Sequence, residues 1–325
     1  MRKAVFLFCL LFTVFASVDK ALTAPAFSYA SKIETDLLHR AVIVDVRQQE
    51  LCLKGSLLGA RCLPAVDFFG PHGRLVNFPD LSWLLGTAGL SGSEHVLVVG
   101  ISPLKRDFVA GILYLAGQQK VTILRIPFAE LEAKSADLKP GQKRTNIRSA
   151  VHSAPFRAEM IILRNELDAL LKSNKSFDLL DGRSEKEYWG ENIRTSRGGH
   201  LPGAQLLPAA ELRALLKRDP QSIPDFSVPI VYAHNTLESV AYFSLLRAGF
   251  GIEARVFLTG WADWAMESSL SVDSLSYPDK QSLNKISAPE IPSQTDNYWL
   301  ISIAVILAGL FLMAWGILSK KRKRT

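Results

Sequence analysis

Two stretches of this 325-residue chain carry the same residue types in the same order. The first runs Asp45-Val46-Arg47, then Gly55-Ser56-Leu57-Leu58-Gly59-Ala60, then Pro64. The second runs Asp181-Gly182-Arg183, then Gly199-His200-Leu201-Pro202-Gly203-Ala204, then Pro208. Asp45 and Asp181 are read as loop anchors working through hydrogen bonds, not as acid catalysts. A later strand in each half opens into a second loop, Val99-Gly100-Ile101-Ser102-Pro103 and Tyr232-Ala233-His234-Asn235-Thr236, and neither loop holds a cysteine. Thiol chemistry would fall to Cys52 and Cys62, since the third cysteine, Cys9, lies in the leader. No Cys-x-x-Cys is present, and the six histidines show no metal-ligand spacing with the cysteines, so no metal is expected. Neither a P-loop nor a dinucleotide-type glycine loop occurs, so no cofactor is expected.

The elements that must hold these loops alternate. Ala41–Asp45, Arg61–Ala65, His95–Gly100 and Val121–Ile126 read as strands; Leu81–Gly89 and Arg106–Gly117 read as helices that stop at glycine. The second half repeats the order, with strands at Phe177–Asp181, Leu206–Pro208, Pro229–Ala233 and Ala254–Leu258, and helices at Ala210–Lys217 and Ser239–Gly249. Short apolar strands between helices indicate an α/β fold with parallel sheets covered on both faces. The span from Phe27 to Leu270 suits two domains, and the apolar content supports a core in each. The expected boundaries are 25–150 and 151–271, with the basic stretch Lys134–Ser153 as the connection. From Asp181 to Gly199 the chain is eight residues longer than from Asp45 to Gly55, an insert centred on Glu191–Arg197.

These motifs resemble the rhodanese (thiosulfate sulfurtransferase) family in its tandem two-domain form. Gly73-Arg74-Leu75 with Leu84-Leu85-Gly86 resembles the family's first domain; Asp181 to Gly190 and Gly260-Trp261-Ala262-Asp263-Trp264 resemble the start and close of its second. The resemblance implies a reactive cysteine in a loop of the type C-x-x-G-x-R at a helix N-terminus, where amides and dipole stabilise a thiolate that carries sulfur as a persulfide. On this chain the cysteine position falls on Ala233, or on His234 with a different gap, and the arginine position on Glu238. An acid there repels thiosulfate and raises a thiol's pKa. In the first half the cysteine position falls on Gly100. No catalytic residue is therefore expected at the degenerate positions Gly100 and Ala233.

Two readings of the second loop stand open. It is a cap on a helix, or His234, Asn235 and Ser239 line an anion or partner pocket with Arg183, Arg194 or Arg197 nearby. Lys105 and Arg106 are read as a solvated basic face. For Cys52 and Cys62, three readings stand: buried thiols, a disulfide if their Cα atoms lie within about 7 Å, or a relocated sulfur carrier.

The ends point to a membrane. Residues 1–24, with a basic start and an apolar run from Ala4 to Val18, are expected to be a signal peptide. Residues 272–297 read as a flexible stalk. Tyr298–Leu318 carries no charged residue and is long enough for a transmembrane helix, with Tyr298, Trp299 and Trp315 near its ends. The tail, 319–325, is basic and hence cytoplasmic, which puts the domains on the extracytoplasmic side, periplasmic if the source is bacterial. The formal net charge of +7 resides in this tail together with Arg2 and Lys3, so it reports topology and not nucleic-acid binding. The sequence thus predicts a single-pass membrane protein with two rhodanese-like domains, catalytically degenerate, binding or scaffolding a sulfur-carrying or redox partner. The alternative is an active sulfurtransferase using Cys52 or Cys62.

Overall fold

A strand that is apolar on both faces is buried only in a sheet covered on both sides. The computed structural model, which describes residues 26–134, 138–173, 175–218 and 223–273, contains two such sheets. The first half runs β1 (Phe27–Ala30), α1 (Thr35–Arg40), β2 (Val42–Asp45), α2 (Gln49–Lys54), β3 (Arg61–Cys62), α3 (Phe78–Thr87), β4 (His95–Val99), α4 (Pro103–Leu115), β5 (Lys120–Leu124) and α5 (Phe128–Lys134). The second runs β6 (Ile161–Ile162), α6 (Arg164–Lys172), β7 (Leu179–Asp181), α7 (Glu185–Tyr188), β8 (Gln205–Leu206), α8 (Ala209–Arg218), β9 (Ile230–Tyr232), α9 (Thr236–Phe250), β10 (Arg255–Phe257) and α10 (Gly260–Met266). The strand orders are β1-β5-β4-β2-β3 and β6-β10-β9-β7-β8, and the pairs are parallel. The second half therefore repeats the topology of the first.

Some elements depart from expectation for local reasons. β1 lacks a β-branched run and β6 has two residues, so neither shows the strand pattern. The expected strand Arg61–Ala65 is cut to Arg61–Cys62, because Pro64 leads into a tight 3₁₀ turn at Ala65–Phe68. The helix expected from Ser239 begins at Thr236, since the Asn235 side chain accepts the Glu238 N–H at 3.0 Å and caps it. It ends in Gly251 at φ 71°, a left-handed cap that glycine adopts without strain.

The cores of the two halves are not fully separate. One apolar cluster joins Val44, Val98 and Phe108 to Leu180, Val231 and Phe243. Each half adds a cluster of its own, around Leu97 and Phe128 in the first and around Tyr232 and Trp261 in the second. The joint is α4 on α9. Residues 106–115 of α4 and 239–246 of α9 are buried, as befits helices that are apolar on most sides. At Gly111 a Cβ would lie 2.3 Å from Ser244 Oγ, so the absence of a side chain sets the approach. Ser244 Oγ donates to the Asp107 carbonyl at 2.7 Å, and Arg213 of α8 pairs with the buried Asp107 carboxylate. Arg106, expected on a solvated face, is buried and donates to the Ile126 carbonyl at 3.1 Å; Lys105 is exposed.

The connection expected at Lys134–Ser153 is docked on the first half. Ser56 and Lys139 exchange backbone hydrogen bonds at 2.7 and 2.9 Å, Arg144 reaches Asp67 and Thr87, and His152 bridges the carbonyls of Leu90 and Ala116. In the second half His200 and Asp273 make the same exchange at 2.9 and 3.0 Å.

Glu94, in the turn before β4, accepts from Ser91 N, Ser91 Oγ and Gly92 N at 2.7 to 3.1 Å, and from Gln118 Nε2 at 3.3 Å. Burial pushes its pKa up, but the hydrogen bonds from Ser91 and Gln118 outweigh burial and bring it down to about 2. Its contribution is therefore full above an unfolded value near 4.5 and is lost as pH falls toward 2. Glu94→Gln is expected to cost about 1 kcal/mol at pH 7, a figure discounted for the solvent around this side chain. Urea unfolding of both proteins between pH 7 and pH 2 should show the difference vanish at the acid end. A difference that persists at pH 2 would contradict the assignment.

Among the described residues no helix is long and apolar enough to cross a membrane. The expected leader, span and tail, and the expected stalk beyond residue 273, lie outside the described residues.

Candidate functional site

β7 and β9 lie side by side, and their C-terminal ends deliver Asp181 and Tyr232 to one point. Asp181 is fully buried; it accepts from Arg183 N at 2.9 Å, Arg183 Nε at 3.0 Å and Arg183 Nη2 at 2.6 Å. The Tyr232 hydroxyl donates to the same carboxylate at 2.6 Å. Burial first, and then the Asp181 charge, raise the Tyr232 pKa well above its ordinary value, so it keeps the proton it donates. Arg183 also donates to the Gly199 carbonyl at 2.8 Å and lies 4.6 Å above the Trp261 ring. In the first half Arg47 grips Asp45 in the same way, with Ser56 Oγ, at 2.7 Å, in the place of the tyrosine hydroxyl. Arg183, a candidate pocket residue on sequence, is therefore a buried anchor with a side chain 1% exposed.

The Ala233 loop follows β9 directly. Ala233 N–H donates to Ser239 Oγ at 3.0 Å; the Ala233 and His234 carbonyls accept from Trp261 N and Ala262 N at 2.9 and 2.7 Å. Gly260 closes against the loop. Its φ is 66°, and a Cβ there would lie 2.6 Å from the Ala233 carbonyl oxygen and 2.7 Å from Ser239 Oγ. A side chain at 260 would be strained by the backbone and blocked by the loop together.

Around the N-terminus of α9 the charges are knit together. Arg194, from the insert, donates to Glu238 at 2.6 Å and to Glu187 at 3.0 Å. Burial pushes the Glu187 carboxyl up, yet the hydrogen bonds from Ser184 and Arg194 hold it below its usual range. His234 Nδ1 is 3.7 Å from Glu187 Oε1 and makes no hydrogen bond there. Burial and then the Arg194 charge lower the His234 pKa, so the imidazole is neutral at pH 7. Two carboxylates against one guanidinium make this an unfavourable place for thiosulfate. Of the three arginines weighed on sequence, Arg194 is the one that reaches the start of α9, beside His234 and Asn235, while Ser239 is buried beneath the loop.

Arg197 does not join them. It donates to the carbonyls of Trp264, Ala265, Glu267 and Leu270 at 2.6 to 3.2 Å, and so ties down the end of α10. Glu187 was not singled out on sequence, although Ser184-x-x-Glu187 is a capping-box spacing and is formed as one. Gly260 was noted only as part of an aromatic motif.

The equivalent loop of the first half is also closed. A Cβ at Gly100 would lie 2.8 Å from Val46 Cγ2 and 3.4 Å from Arg106 Cγ. Ser102 caps α4 by accepting the Lys105 N–H.

Cys52 and Cys62 are bonded to each other, with Cα atoms 5.8 Å apart, and are 0% and 1% exposed. Of the three readings, the structure forms the disulfide and not a pair of buried thiols, because α2 and β3 bring the two side chains together. No free thiol stands among the described residues.

Residues 163–267 match the Rhodanese-like domain family. None of the curated proteins compared matches the chain. Among solved structures, a probable thiosulfate sulfurtransferase is 25% identical, with a TM-score of 0.51 over 74% of this chain and 99% of that one. The Tum1 protein from Saccharomyces cerevisiae is 18% identical, with a TM-score of 0.62 over 76% of this chain and 97% of that one. An EanB variant in complex with ergothioneine is 17% identical, with a TM-score of 0.59 over 79% of this chain and 66% of that one. The last two show the fold alone. Residues 163–267 therefore form a rhodanese-like domain, and the chain has the fold of the sulfurtransferase family.

Proposed function

We propose that this chain is a tandem rhodanese-like protein that does not transfer sulfur and instead binds or scaffolds a sulfur-carrying or redox partner at the outer face of a membrane. The observation that carries the reading is the chemistry at Ala233. The position that the family resemblance assigns to the nucleophile holds a methyl group, and the loop around it is closed by Gly260, Glu238 and Arg194. Persulfide chemistry needs an accessible thiolate. The two cysteines outside the leader are joined and covered. Anchoring is supported by the uncharged stretch Tyr298–Leu318 and the basic tail after it.

The test is sulfur transfer from thiosulfate to cyanide by the full-length chain in mild detergent, beside a Cys52→Ser/Cys62→Ser variant. Both are expected to stay at the uncatalysed background. Turnover in the unaltered chain that the double variant loses would overturn the proposal and establish a relocated nucleophile.

A further inference from the structure

Residues 138–142 lie as a strap on the Cys52–Cys62 disulfide. Beyond the Ser56–Lys139 exchange, Gly141 N–H donates to the Cys52 carbonyl at 3.0 Å. Gln142 N–H donates to the Ala60 carbonyl and Cys62 N–H to the Gln142 carbonyl, both at 2.8 Å. The strap therefore holds α2, the glycine turn and β3 at once. Its contact with the sulfurs is close: a Cβ at Gly141 would lie 2.4 Å from Cys52 Sγ and 2.7 Å from Cys62 Sγ. While the strap is in place the two cysteines have almost no exposed surface. The second half offers an internal comparison. There Tyr188 and Leu206 stand at the matching motif positions, and the same turn forms without a covalent link.

We propose that the disulfide and the strap form a redox clasp: the strap shields the disulfide from dithiol reductants, and reduction in turn loosens the strap from β3. The reductant is a dithiol. Its thiolate attacks one Sγ, forms a mixed disulfide and expels the other cysteine as a thiolate. The reductant's second thiol then displaces the first cysteine and closes its own disulfide. Two electrons pass to Cys52 and Cys62, which take up two protons. Attack requires a path to sulfur, and the Gly141 backbone occupies it. Two thiols also need more room than one bonded pair, and a close-packed site without slack gives it only by moving the backbone above. Linkage makes the effect reciprocal: the factor by which the docked strap disfavours reduction is the factor by which reduction disfavours docking.

The experiment uses the full-length chain, dithiothreitol as the probe, and thiol alkylation read by mass spectrometry. Gly141→Ala, which cannot seat the strap, is expected to be reduced faster than the unaltered chain, by about tenfold or more, because access to sulfur limits the attack. Gly70→Ala, whose Cβ would meet nothing closer than 3.9 Å, should match the unaltered chain. Hydrogen exchange on the unaltered chain provides a readout that needs no variant. On reduction the amides of Lys139, Gly141 and Gln142 should lose protection while those of β4 keep it. Equal reduction rates in Gly141→Ala and the unaltered chain, or strap amides still protected after reduction, would overturn the clasp. Neither result bears on the absence of sulfur transfer at Ala233.

Discussion

Asp181→Ala is expected to destabilise the protein by about 3–5 kcal/mol, the range for removing one partner of a buried ion pair. The cost follows from what the carboxylate leaves behind. Arg183, with a side chain 1% exposed, loses its counter-charge, and the Tyr232 hydroxyl loses its acceptor. The Gly199 carbonyl remains as a neutral partner for Nη2 and does not replace the charge. Urea unfolding followed by circular dichroism would measure the loss, and a change below about 1 kcal/mol would show that Arg183 finds water instead. Asp45→Ala should cost less. Its partner Arg47 has a second carboxylate in reach, since Glu132 Oε1 lies 4.0 Å from Arg47 Nη1.

Gly111→Ala is expected to destabilise by about 1–3 kcal/mol, the usual cost of overpacking. Helix propensity alone predicts the opposite, a gain of about 1 kcal/mol for alanine over glycine in a helix interior. Geometry decides the sign. The added Cβ would lie 2.3 Å from Ser244 Oγ, 2.6 Å from Val240 Cγ1 and 3.1 Å from the Val240 carbonyl oxygen. Ser244 cannot simply turn aside, because its hydroxyl donates to Asp107 across the joint. α4 and α9 would have to move apart, which opens the one apolar cluster shared by both halves. Unfolding should then separate into two transitions, visible by calorimetry. A single transition at unchanged temperature would mean that the two helices have slack at this contact.

The sequence by itself determined the fold class, though not every strand of it. Runs such as residues 42–44 and 96–99 are apolar throughout, and their alternation with helices leaves a parallel sheet covered on both faces as the arrangement that buries them. It also placed His234, Asn235 and Ser239 at the start of one helix, because Asn235 and the positions after it are local cap and first-turn signals. Other features were decided by contacts between segments far apart in the chain, which no local pattern encodes. Arg183 and Arg197 look like Arg194 in the sequence. Asp181 and the carbonyls at the end of α10 fix the first two as anchors, and Glu187 and Glu238 hold the third at the loop. Arg106 reads as a surface cation until the Ile126 carbonyl and the packing of α4 bury it. The fate of Cys52 and Cys62 was open on sequence because a disulfide depends on distance between elements. It was settled when α2 and β3 set their Cα atoms 5.8 Å apart and the Gly141 backbone closed over both sulfurs.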